Sequence, residues 1–167
     1  MMELIVLFVD ICLFKRGPQD VPASRLLFGL ALVAYWMVGI ALLSLQNDWL
    51  EAVGQAVTES LLLLMFCWVL LRVTNRLPRL LQTVTALLAT DALISLPGAL
   101  LLSWWLSRPD APGLQFGLVA LTVWHLAVIA QVLRLAVSQP LAFGVILALT
   151  YVGVTYTIMT MLFGLPA

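Results

Sequence analysis

Five long apolar runs, each closed by a short polar or proline-bearing stretch, constrain this chain more than any other feature. They occupy about residues 25–45, 53–73, 80–106, 115–136 and 141–163. Each offers the roughly 20 apolar residues that a helix needs to cross about 30 Å of hydrocarbon. The separators are KRGPQDVPAS at 15–24, QNDWLEA at 46–52, TNRLPR at 74–79, SRPDAPG at 107–113 and SQP at 138–140. Only 10% of the residues are charged and mean hydropathy is +1.12, whereas a soluble domain carries about 25% charged residues. No water-facing surface can be assembled from so few, so lipid is the solvent. An open sheet edge cannot survive in lipid, which leaves helices. The expectation is an all-α, polytopic membrane protein: a five-transmembrane-helix bundle forming one integral membrane domain over residues 1–167.

The start, MMELIVLFVDICLFKRGPQD, does not read as a secretory signal. A signal places its basic residues before the apolar run, but here Glu3 precedes it and Lys15 and Arg16 follow. The run is too short to span. Glu3 and Asp10 share one helical face, with Leu4, Ile5, Phe8, Ile11 and Cys12 around the others. Residues 2–14 are therefore expected to form a short amphipathic helix, at the interface or tucked against the bundle. Ser24 is placed to cap the first span. Pro97, inside the third, is expected to kink it, because proline removes a backbone donor and crowds the preceding turn.

Alternate threading puts Lys15, Arg16, Arg25, Arg72, Arg76, Arg79 and Arg134 on one side and only Arg108 on the other. This bias predicts a cytoplasmic N-terminus and an external C-terminus. Asp48, Glu51 and Asp110 fall in the opposite loops, and Trp49, Trp104 and Trp105 would lie at that outer interface, where indoles prefer to sit. The net charge is zero and the basic residues form no stripe, so nucleic acid is not an expected partner. Cys12 and Cys67 lack metal or disulfide spacing and read as small buried hydrophobes.

Ionisable groups within spans are the first place to seek function. Glu59 lies about two turns into the second span, Asp91 near the middle of the third and His125 near the middle of the fourth. An acid at a helix centre costs about 2.5–3.5 kcal/mol on the insertion scale. Asp91 must therefore face the interior, find a partner or stay protonated. At about 1.5 Å per residue, Asp91 and His125 reach nearly the same depth on helices joined by a short loop, so a buried contact between them is geometrically open. Such a contact can relay a proton, bind a ligand or partner, or simply lock two helices together. Ser95, one turn from Asp91, and the adjacent Thr90 are local partners. Gln55 is one turn from Glu59.

Other chemistry finds little support. One histidine cannot supply a bis-histidine haem, and neither HExxH nor CxxC is present, so neither cofactor nor metal is expected. No GxSxG turn accompanies Ser95, no glycine-rich phosphate loop occurs, and no catalytic residue is assigned. Gln131, Arg134 and Ser138 share a face with Trp124 and are expected to make interhelical and headgroup contacts, with Arg72 and Arg134 snorkelling from their helix ends. Thr150, Gly153, Thr157, Thr160 and Gly164 repeat at spacings of three and four. Such a stripe lets another helix approach, so it is expected to pack inside the bundle or against another protein. Tyr151 and Tyr156 lie off it. With no internal repeat, an inverted-repeat transporter within one chain is disfavoured, although a homodimer could supply a second half.

The amphipathic start, the RGPQDVPAS loop and a middle helix opening LLQTVTALLATDALISLP resemble the Yip family, the Ypt-interacting-protein-like membrane proteins, in its bacterial members. The matching positions are mainly Arg79, Gln82, Thr83, Ala86, Leu87 and Pro97, while Asp91 stands where a small residue is expected. The resemblance implies a five-span fold in a bacterial inner membrane and no catalytic residues. Eukaryotic relatives are linked to trafficking and small-GTPase partners. The first functional expectation is non-enzymatic: a scaffold, assembly factor or accessory subunit working through lipid and helix contacts, with a membrane-protein partner or a second copy. The other is a small transporter or proton-coupled channel using Asp91, His125 and Glu59. A scaffold predicts a dry interior around Asp91, and a transporter predicts a polar cavity reaching the midplane.

Overall fold

The computed structural model describes residues 2–108 and 113–164. Part of the SRPDAPG loop, including Asp110, lies outside the described residues. Six α-helices follow in order: α1 Met2–Cys12, α2 Arg25–Leu43, α3 Trp49–Val73, α4 Leu80–Ser107, α5 Leu114–Val137 and α6 Leu141–Phe163. No strand occurs among the described residues. The last five helices are long and apolar enough to cross a membrane, and the molecule is an all-α helical bundle.

Local chemistry sets the helix ends. Ser24 Oγ accepts the Leu27 N–H at 3.4 Å and caps α2. The QNDWLEA stretch is not all loop, because α3 begins at Trp49, about one turn earlier than its hydropathy predicts. Asp48 is extended at the cap position and Glu51 lies in the first turn, where negative charge suits the positive end of the helix dipole. The α4 helix runs unbroken through Pro97; one missing donor leaves the rest of the hydrogen-bond ladder intact.

α4 is the central helix. It packs on α1, α2, α3 and α5, while α6 joins α5 to α3. Every residue from Thr83 to Thr90 is buried, as a helix apolar on all sides demands. The hydroxyls of Thr83, Thr85 and Thr90 return to carbonyls of their own helix at 2.7–2.8 Å, so their burial leaves no donor unpaired. α1 packs against α4 and α5 through Leu7, Phe8, Ile11 and Cys12, while Ile5, Val6, Val9, Leu13 and Phe14 remain exposed. Beyond the exposed Glu3 in its first turn, the outer face of α1 is thus apolar as well and suits acyl chains rather than water. Trp124 Nε1 donates to the Cys12 carbonyl at 3.0 Å and anchors the end of α1.

The two ends of the bundle differ. The largest fully buried side chains, among them Ile11, Leu71, Val84, Leu88, Val128, Val132, Leu133 and Val137, all lie toward the arginine-bearing end. There Arg79 donates to the Leu135 and Ala136 carbonyls at 3.3 and 3.1 Å, closing the end of α5. Arg76 and Arg79 both reach Ser138 Oγ. Gln82 donates to the Val21 carbonyl at 2.7 Å and ties down the first loop. The interhelical role expected of Arg134 is taken by these residues: Arg134 Nε donates instead to Gln131 Oε1 of its own helix at 2.6 Å.

Of the two expectations for the small-residue stripe of α6, packing inside the bundle is not met over its first three positions. Thr150, Gly153 and Thr157 are exposed, Thr160 is half-buried and Gly164 is exposed. The threonine hydroxyls bond to their own helix. The face turned inward carries Gly144 and Ala148 instead. A Cβ on Gly144 would meet the Ala130 carbonyl and Arg134 Cβ of α5, whereas one on Gly153 would meet nothing within 4 Å. At about 100° per residue, positions nine apart point to opposite sides. Once Gly144 is pressed against α5, Gly153 must face away.

Candidate functional site

Toward the other, acidic end the spans separate. A cavity of about 400 Å³ lies at mid-bundle, and side chains from all five spans line it. Its polar groups are Tyr35 of α2, Glu59 of α3, Asp91 and Ser95 of α4, Thr122 and His125 of α5, and Tyr151 and Thr155 of α6. A wider vestibule of about 780 Å³ lies among the acidic-end segments of α2, α3, α4 and α6 and is lined by Asn47, Asp48, Glu51 and Gln55. Glu59, Leu42 and Leu43 border both spaces. Thr160 and Gly164, the last two residues of the α6 stripe, line the vestibule.

Asp91 and His125 meet. Asp91 Oδ1 lies 3.5 Å from His125 Nε2, and their side chains are 25% and 30% exposed. Both stand near the middle of long helices and line the cavity, and His125 also borders a second recess of about 200 Å³ between α4 and α5. The same Oδ1 accepts the Ser95 hydroxyl at 2.9 Å. Ser95 therefore pairs with the acid, one turn away on its own helix. Thr90, the other local candidate, bonds to the Ala86 and Leu87 carbonyls and does not reach Asp91.

Glu59 joins the same cavity from α3. Its Oε2 accepts the Tyr35 hydroxyl at 3.2 Å. One residue along each helix, Trp36 Nε1 donates to Ser60 Oγ at 3.1 Å, and Ser60 returns its own proton to the Val57 carbonyl. These two adjacent rungs lock α2 to α3 and aim the carboxylate. Gln55, expected beside Glu59, donates to Glu51 Oε1 at 3.1 Å instead. Tyr151 enters the cavity from α6, its ring held 5.3 Å from that of Phe66.

Sequence reading did not single out Tyr35, Tyr151, Thr122 or Thr155. Tyr35 carried a usable signal, because a phenol at the centre of a span, away from either interface, must find a partner for its hydroxyl. Gly144 and Ala148 likewise form a small-xxx-small pair. No comparable signal marks Thr122 or Thr155, whose inward aim depends on how their helices are rotated.

Among the described residues no three His, Cys, Asp or Glu side chains stand close enough to hold a metal ion. Among the described residues no Lys or Arg lines either space. The arrangement can share a proton between a carboxyl and an imidazole and can accept positive charge at a second carboxyl, Glu59, on the wall shared with the vestibule. No protein-family model, curated protein or solved structure matches this chain.

Proposed function

We propose that this protein is a small proton-coupled carrier whose binding site is the midplane cavity. The observation that carries this reading is the Asp91–His125 contact, 3.5 Å across, on the wall of a cavity about 400 Å³ in volume. A dry, fully packed interior would suit a scaffold better. Here a carboxylate, an imidazole and several hydroxyls face open space at the depth where polar groups cost most. The vestibule that borders the cavity at Glu59 supplies the approach from the acidic end. With the arginine end in the cytoplasm, as the basic-residue bias favours, the cavity faces the outside and the close-packed half forms the inner barrier. Movement across the membrane then requires that half to open as the outer half closes, and protonation at Asp91 and His125 is the event coupled to it.

Thiol accessibility tests the reading. Both native cysteines are buried, so a single new cysteine gives a clean signal. In sealed vesicles, a membrane-impermeant methanethiosulfonate applied from the outside should label Ser95→Cys and Thr122→Cys. It should spare Thr85→Cys and Val132→Cys. Equal protection at all four positions would remove the cavity as an aqueous site and the carrier reading with it.

The outward Thr150, Gly153 and Thr157 face favours a second reading, an accessory subunit docked through α6 on a membrane partner or a second copy. Its support is the bare small-residue surface, together with the overall resemblance to Yip-type proteins. Disulfide trapping at Gly153→Cys in native membranes tests it, with a cross-linked pair as the supporting result.

A further inference from the structure

We propose that the solute taken up by the midplane cavity is a monovalent, lipophilic organic cation, held against the Asp91 and Glu59 carboxylates. This rests on the reading of the cavity as a binding site and adds the chemical class of what it binds.

Charge is the first ground. The vestibule offers Asp48, Glu51 and Glu59, and the cavity beyond offers Glu59 and Asp91, with no Lys or Arg among the described residues on either wall. An anion reaching the midplane would meet two carboxylates and only His125 to offset them. A cation meets attraction throughout, and low-dielectric walls focus that field.

Size and wall chemistry are the second ground. About 400 Å³ falls within the range of about 300–1,000 Å³ typical of small-molecule pockets. A bare inorganic cation needs a tight shell of about six oxygen ligands, but the carboxylates and hydroxyls here are spread over five helices around an open space. Leu42, Leu126, Ile129 and Leu149 supply aliphatic wall. Tyr35 and Tyr151 also line the space, and aromatic rings attract diffuse positive charge. An apolar body with one delocalised charge satisfies all of these surfaces together.

Proton exchange follows from the same arrangement. Asp91 is faced by Ser95 of its own helix and by His125 of α5, and it shares the cavity with Glu59 of α3, Tyr35 of α2 and Tyr151 of α6. A proton on either carboxylate removes the charge that the cation needs, so proton and cation compete. Cation binding should weaken as pH falls.

A pair of ions alike in shape and opposite in charge tests this directly. Tetraphenylphosphonium and tetraphenylborate are each equilibrated with the full chain in nanodiscs, and binding to empty nanodiscs is subtracted. The phosphonium should bind saturably and the borate should not. Phosphonium affinity should fall at least tenfold between pH 8 and pH 5. Asp91→Asn should lose at least tenfold at pH 8, and Glu59→Gln should weaken binding as well. Equal binding of both ions, or no phosphonium binding, overturns the proposal, as does full affinity in both variants. If Asp91→Asn does not fold, the charge comparison and the pH series on the native chain decide alone. Thiol labelling of Ser95→Cys separates the two levels. Labelling without phosphonium binding removes only this inference, whereas no labelling removes the carrier reading beneath it.

Discussion

Replacing Gly144 by alanine adds one carbon where α5 and α6 approach most closely. An ideal Cβ there lies 2.7 Å from Arg134 Cβ and closer still to the Ala130 carbonyl oxygen. Ordinary contact begins near 3.4 Å, so α6 must withdraw by about 0.7 Å or more. The obstacle is backbone inside a helix and cannot swing aside as a side-chain tip can. Overpacking of this kind costs about 1–3 kcal/mol. Against it stands the gain of alanine over glycine within a helix, about 0.5–1 kcal/mol. With backbone as the obstacle the cost lies in the upper part of that range, about 2–3 kcal/mol, so the net expectation for Gly144→Ala is a loss of about 1–2.5 kcal/mol. Gly153→Ala is the matched control: nothing lies within 4 Å of its Cβ, so it should keep the helix gain and stabilise by up to about 1 kcal/mol. Reversible unfolding by sodium dodecyl sulfate in mixed micelles, followed by tryptophan fluorescence, measures both. Opposite signs are expected. A Gly144→Ala protein as stable as wild type, or a more damaging Gly153→Ala, would refute the assigned rotation of α6.

Other consequences follow from particular contacts. Arg79→Ala removes the donor that closes α5 at the Leu135 and Ala136 carbonyls. A charged hydrogen bond contributes about 1.5–3 kcal/mol, and the exposed part of this site reduces that to about 1–2 kcal/mol; the same unfolding titration reads it, and Arg79→Lys should recover part of the loss. Trp124→Phe keeps an aromatic ring, though a smaller one, and loses the bond to the Cys12 carbonyl, so α1 should loosen by at least about 0.5–1.5 kcal/mol, seen as faster amide exchange over residues 2–12 with the spans unchanged. Burial pushes the Cys12 thiol from its ordinary value of 9.0 up to about 11. A raised thiol is favoured neutral in the fold, so its contribution to stability is complete below pH 9 and is lost as pH climbs through about 11. Maleimide should therefore leave Cys12 unmodified at pH 7.5 until detergent unfolds the chain.

Much of the architecture was legible in the chain alone. The ends of α4, α5 and α6 lie within a residue of their hydropathy limits, because proline and charged residues close those segments abruptly. The start of α3 lies about one turn ahead of its hydropathy limit, since a polar first turn looks like loop to a hydropathy scale even when it opens a helix. Asp91 and His125 could be paired by depth, since rise per residue is constant and their helices are neighbours in sequence. Glu59 could be noticed but not placed beside them, because its approach depends on α2, through Tyr35, and on the way α3 leans on α4. The α6 stripe left its neighbour open, because a pattern of small residues records a surface suited to close approach without saying whether that neighbour lies inside the bundle or outside it.

The sequence by itself determined that the chain is helical, how many helices are long and apolar enough to cross, and which positions carry charge at mid-depth. Those properties are local: each segment's transfer free energy sums over its own residues, whatever surrounds it. Only the tertiary structure decided how each helix is rotated, and hence that Gly144 faces inward, that Gly153 faces out and that five spans leave a polar cavity at mid-bundle. Lipid and protein interior are nearly equal as solvents for leucine and valine, so an all-apolar helix carries almost no record of its inner face. Rotation is settled by shape and by the few hydrogen bonds between helices, and those exist only once all the neighbours are in place.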